Sequence, residues 1–83
     1  MRAEEFLPDD VNQGEINGVV IRKGSVGAFL ANAKILRDPA AMAAARAEAE
    51  RDIIAGLPAL RATGLFEVFE IRDPALRALI DAH

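Results

Sequence analysis

Apolar and polar positions change their period several times along this chain, and each change marks an element. Residues 1–10 mix carboxylates with Phe6, Leu7 and Pro8 and hold no sustained period, so they read as an irregular N-terminal arm. Asn17-Gly18 is the strongest turn dipeptide, because both residues tolerate positive φ. It stands before the apolar run Val19-Val20-Ile21, which continues into Arg22 and Lys23. The pattern predicts a strand over residues 18–23 and admits a hairpin whose first arm is 11–16. Asn12, Gln13 and Gly14 are poor strand residues, so the expectation rests on the second arm.

Gly24-Ser25 then closes the strand and opens a helix, with Ser25 placed to cap it through a side-chain bond to a first-turn amide. Val26, Phe29, Leu30, Ala33 and Leu36 follow the i, i+3, i+4 rule and make one wide apolar face. Asp38-Pro39 is a second start signal, an acidic cap followed by proline at the first helical position, and predicts a helix over 39–55. That helix is rich in alanine. Met42, Ala45, Ala49 and Ile53 form its thin inner stripe, with Met42 as core filling, and pairs such as Arg46 with Glu50 lie at neighbouring helical spacing outside. Gly56 ends it, Pro58 restarts a short helical turn over 58–63, and Gly64 is a C-cap. Asp73-Pro74 repeats the start signal, and Leu76, Leu79 and Ile80 give a last helix its buried side.

Residues 65–71 differ from everything before them, since apolar residues there occupy both parities of a strand. Side chains of a strand point alternately to opposite faces, so Leu65, Phe69 and Ile71 would lie on one side and Phe66 and Val68 on the other. In a chain of 83 residues the remaining elements cover one such face. The second is expected to meet another copy, with Val20, Phe66 and Val68 as the seam of a homodimer. The elements add up to a small single α+β domain over 1–83. It has two antiparallel strands, three if 11–16 joins, packed with three to four helices. A two-stranded sheet is marginal in water, which also favours completion by a partner.

Composition strengthens that expectation. There is no cysteine, so neither disulfides nor a thiolate zinc site supplement the small core, and oligomerisation is the remaining staple. A hydrophobic content of 52% with 28% charged residues suits a globular chain and not a disordered one. The net charge of −3 argues against nucleic acid, which demands clustered cations. No apolar run approaches the roughly 18 residues of a membrane span and no h-region follows the start, so no membrane association is expected and the cytoplasm is the default location.

The chemical inventory is short. Tyr, Trp and Cys are missing and the one histidine, His83, is the last residue. Glu67 and Glu70, set among apolar neighbours, are the carboxylates with the best claim to acid-base chemistry, although a rim charge at a strand end, or an ion pair with Arg22 or Arg72 across the sheet, is the better account of them. Arg22, Lys23, Gly24 and Ser25 offer a different possibility, two cations and a glycine turn at a helix N-terminus, where free amides attract anions. Their spacing matches neither a P-loop nor a dinucleotide fingerprint. No catalytic residue, cofactor or metal is expected. The sequence points to a non-enzymatic protein-interaction module acting as a homo-oligomer, possible partners being a second copy or another protein; the alternative is an anion- or phosphate-binding regulatory domain using the 22–25 turn.

Overall fold

The computed structural model describes residues 1–2, 5 and 10–83, so the irregular arm expected at 1–10 lies mostly outside the described residues. The molecule is a small α+β fold in which, counted over the described residues, four helices build a common core and one antiparallel hairpin packs beside it on the longest helix.

Strand β1 (Gln13–Ile16) pairs with β2 (Val19–Arg22) in the register Gln13 to Arg22 through Ile16 to Val19. Asn17 at φ 52° and Gly18 at φ 77° form the two-residue turn, in the left-handed geometry that matches the twist of the flanking strands. The weak arm of the hairpin therefore forms after all: a turn that fixes the register can carry polar residues on its exposed strand, and β1 is fully paired despite Gln13 and Gly14. Ile21 is the one residue of the hairpin that is buried, while Val20 on the opposite face is exposed. The hairpin packs on the second helix, and the Asn17 side-chain amide donates to the carbonyl of Ala62 at 3.2 Å.

Helix α1 (Ser25–Arg37) follows the left-handed Gly24, at φ 86°, and buries Phe29 and Ala33. Ser25 lies inside the helix and makes no cap. Its hydroxyl turns back and donates to the Arg22 carbonyl at 2.7 Å, so β2 and α1 are joined by the residue expected to satisfy a first-turn amide. Asp38 ends α1, and its carboxylate accepts from the Ala40 amide at 2.9 Å. Asp38-Pro39 thus shapes a turn and the next helix begins four residues later than the sequence suggests.

That helix, α2 (Ala43–Thr63), runs for 21 residues without a break, about 32 Å at the usual rise. Ala49, Ile53, Leu57 and Leu60 are buried along it at spacings of four, four and three, which makes α2 the wall on which α1 and the hairpin lie. The restart expected at Pro58 does not occur. Proline in a helix interior costs about 3 kcal/mol. Pro58 is exposed, however, and its neighbours Leu57 and Leu60 sit in the core, each contributing roughly 1.5–3 kcal/mol by burial. Continuation outweighs the lost amide. Pro58→Ala is accordingly expected to raise stability by about 1–2 kcal/mol, the helix gain reduced by a more flexible unfolded chain, as a higher melting temperature in a thermal scan. Met42 proves to be an exposed residue just before α2, not core filling.

Gly64, at φ 82°, terminates α2 as expected, its amide reaching the carbonyls of Leu60 and Arg61. The strand predicted over 65–71 is absent. Residues Leu65–Val68 form instead a single helical turn, α3, and 69–73 run extended without pairing to any described strand. A short apolar run fits helix and strand equally by period, and here the left-handed glycine sends the chain back over the core. Leu65 and Phe66 pack inward, with Ile71 beyond the turn, while Val68 and Phe69 face solvent.

The last helix, α4 (Pro74–Asp81), begins as the sequence predicts: Asp73 accepts from the Leu76 amide at 2.9 Å and Pro74 occupies the first helical position. Leu76 and Ile80 complete the core with Phe29, Ala33, Ile53, Leu57 and Leu60. The Arg61 guanidinium, on α2, donates to the carbonyls of Ile80 at 3.0 Å and His83 at 3.1 Å, joining the His83 amide on the Ile80 carbonyl and tying the end of α4 to α2.

Candidate functional site

A groove of about 480 Å³ between α1 and the extended stretch 69–73 is smaller than the concavity of about 840 Å³ between α2 and the start of α4, but its lining is the more apolar of the two. Its making follows from the two surprises of the fold. Because 65–71 is a turn and an extended strap, not a strand, Phe66 is brought under α1, where its ring meets Phe29 edge to face at 5.9 Å and 74°. Such a pair adds roughly 0.5–1.5 kcal/mol beyond its buried area. The two rings form the floor. Val26 and Leu30, one helical turn apart, stand on the α1 side with Phe69 on the other, and all three are solvent-exposed, Leu30 at 52% and Phe69 at 66%.

Two arginines hold the strap in place. The Arg37 Nε lies 3.2 Å from Asp73 Oδ1, tying the end of α1 to the start of α4, while the other oxygen of the same carboxylate caps that helix. Arg77 donates to the Ile71 carbonyl at 3.0 Å and pairs with Glu70 at 2.6 Å. The rim of the groove then carries Lys34 and Arg72, which form no ion pair among the described residues. An apolar cleft edged by two cations that pair with no described carboxylate can bind an apolar group next to a carboxylate.

The residues singled out by sequence are distributed as follows. Arg22, Lys23, Gly24 and Ser25 do lie together at the junction of β2 and α1, but the Ser25 hydroxyl is engaged with the backbone of Arg22, and the Lys23 amide donates to the Asn12 carbonyl at 2.8 Å. The turn is a well-bonded junction with two exposed cationic side chains. Val20, Phe66 and Val68 do not form one face of a sheet, because the strand that was to carry the last two is not there; Phe66 lies in the groove floor and Val20 and Val68 are separately exposed. Glu67 and Glu70 are exposed, and Glu70 is taken by Arg77, so neither has the apolar enclosure that motivated an acid-base role. The His83 ring is exposed, Nδ1 lying 3.0 Å from the Leu79 carbonyl. No group of three His, Cys, Asp or Glu among the described residues is placed to hold a metal ion. No described helix is long and apolar enough to cross a membrane.

The groove itself escaped sequence reasoning. Its signal was present in Val26 and Leu30, which extend the apolar face of α1 beyond what Phe29 and Ala33 need for the core. In comparisons with family models, curated proteins and solved structures, the chain has no match.

Proposed function

We propose that this chain is a non-enzymatic protein-interaction module that acts as a homo-oligomer, and that its docking surface is the groove between α1 and the 69–73 strap. The observation that carries the proposal is the exposure of Val26, Leu30 and Phe69 around a cleft already floored by an aromatic pair. Large apolar side chains gathered in one place, rimmed by charge, are characteristic of surfaces that meet another macromolecule. The seam is thereby moved from Val20, Phe66 and Val68, of which only Phe66 lines this cleft.

The proposal is tested by light scattering coupled to size exclusion over a dilution series. Leu30→Asp places a carboxylate on the exposed wall without touching the buried residues of α1. It is expected to convert a wild-type dimer to monomer with an unchanged circular dichroism spectrum. A wild type that is monomeric at every concentration overturns the homo-oligomer reading.

A further inference from the structure

The two walls of the groove carry the same order of chemistry in the same direction. On α1, Val26, Leu30 and Lys34 are spaced by four residues and form one row along the helix, two apolar side chains and then a cation. On the strap, Phe69 and Ile71 are followed by Arg72. The ion pair between Arg37 and Asp73 aligns the walls, because it joins the residue one turn beyond Lys34 to the neighbour of Arg72. Lys34 and Arg72 therefore stand on opposite walls at one end of the groove, and the way from there to Val26 runs over the apolar floor of Phe29 and Phe66.

The charge offered at that end is positive. Two carboxylates also line the groove, but Glu70 is paired with Arg77, and Asp73 is held by Arg37 and the Leu76 amide. Lys34 and Arg72 pair with no described carboxylate. Two cations facing one point suit a single anionic head group, because a charge-assisted bond can reach it from each wall. Apart from its charged residues the lining is entirely aliphatic and aromatic, so the rest of an occupant must be an apolar chain. The size fits a small molecule: the volume of about 480 Å³ lies within the roughly 300–1,000 Å³ of such sites. From Lys34 back to Val26 the helix rises about 12 Å, the length of an extended chain of about ten carbons.

We infer that the groove is a binding site for an amphipathic monocarboxylate of the medium-chain fatty acid class, its carboxylate between Lys34 and Arg72 and its chain along Val26 and Leu30. The inference goes beyond the homo-oligomer reading and does not require it. Where both hold, the ligand and a second copy compete for one surface, and the carboxylate regulates association by mass action.

Isothermal titration calorimetry of the full chain with decanoate tests the site. Decanol supplies the same chain without the charge and acetate the charge without the chain, each kept below the concentration at which it aggregates. Decanoate is expected to bind about tenfold more tightly than decanol, and acetate not measurably. Lys34→Gln with Arg72→Gln removes two exposed ionic contacts, which corresponds to about tenfold weaker decanoate binding, and leaves decanol unaffected. Both side chains are exposed and outside the core, so the variant should keep the wild-type circular dichroism spectrum. Absence of decanoate binding overturns the inference, as does decanol binding as tightly as decanoate or a double variant that keeps the preference for the charged ligand. The dilution series without ligand decides the homo-oligomer reading separately: a monomer that binds decanoate removes that reading and leaves the site, and a dimer that ignores decanoate does the reverse.

Discussion

Leu57→Ala is expected to lower stability by about 2–5 kcal/mol, the range for truncating a buried leucine and leaving a cavity. Leu57 is 2% exposed and lies between Ile53 and Leu60 on the buried stripe of α2, against the residues that α1 and α4 contribute. A chain of this size has a total stability of about 4–12 kcal/mol, so a single truncation removes a large share of it. Urea denaturation followed by circular dichroism reads the effect directly, with Met42→Ala as the control. Met42 is 77% exposed, and its truncation should leave the midpoint where it was. Equal losses in the two variants would mean that α2 is not the wall of the core.

The second large effect belongs to Asp73, because one carboxylate serves two elements. Its Oδ2 accepts from the Leu76 amide and caps α4, and its Oδ1 receives Arg37 from α1. Losing an N-cap costs about 1 kcal/mol, within a range of roughly 0.5–2. The ion pair contributes less than about 1 kcal/mol, since Arg37 is largely exposed and solvent screens it. Asp73→Ala should therefore cost about 1–2.5 kcal/mol in the same denaturation experiment. Asp73→Asn separates the contributions, since asparagine caps a helix as well as aspartate and loses only the charge. It is expected to recover most of the stability while the strap beside the groove loosens, and the dimer proposed above would then weaken more than the fold does. If Asn and Ala variants were equally destabilised, the cap would not be the larger of the two contributions.

How much of this was legible in the sequence depended on whether a local signal had competition. Asn17-Gly18, Gly64 and Asp73-Pro74 each fix a backbone geometry that few other residues adopt, and all three perform the expected role. Ser25 and Asp38 are also capping residues, but each has a nearer backbone partner, the Arg22 carbonyl and the Ala40 amide, and takes it. Propensity failed where burial opposed it: Gly56 and Pro58 disfavour helix, yet the stripe from Ile53 to Leu60 carries α2 through both. The segment 65–71 was misread for another reason. Its apolar residues are consistent with either period, and only the third dimension decides that Phe66 meets Phe29 edge to face while Phe69 stays outside. The groove was invisible for the same reason, since its two walls are more than thirty residues apart in sequence.

The bond from Asn17 to the Ala62 carbonyl has a kinetic consequence. It links residues 45 apart and satisfies one of the last carbonyls of α2, which a helix end leaves unpaired. A contact of that sequence separation requires a long loop to close before it contributes anything, whereas the Asn17-Gly18 turn and the turns of α2 need only their neighbours. Hairpin and helix can thus each begin alone, but the final turn of α2 acquires this partner only when the hairpin arrives. Docking of the hairpin and completion of the helix end are one step on the way to the folded state, and whatever delays the first delays the second.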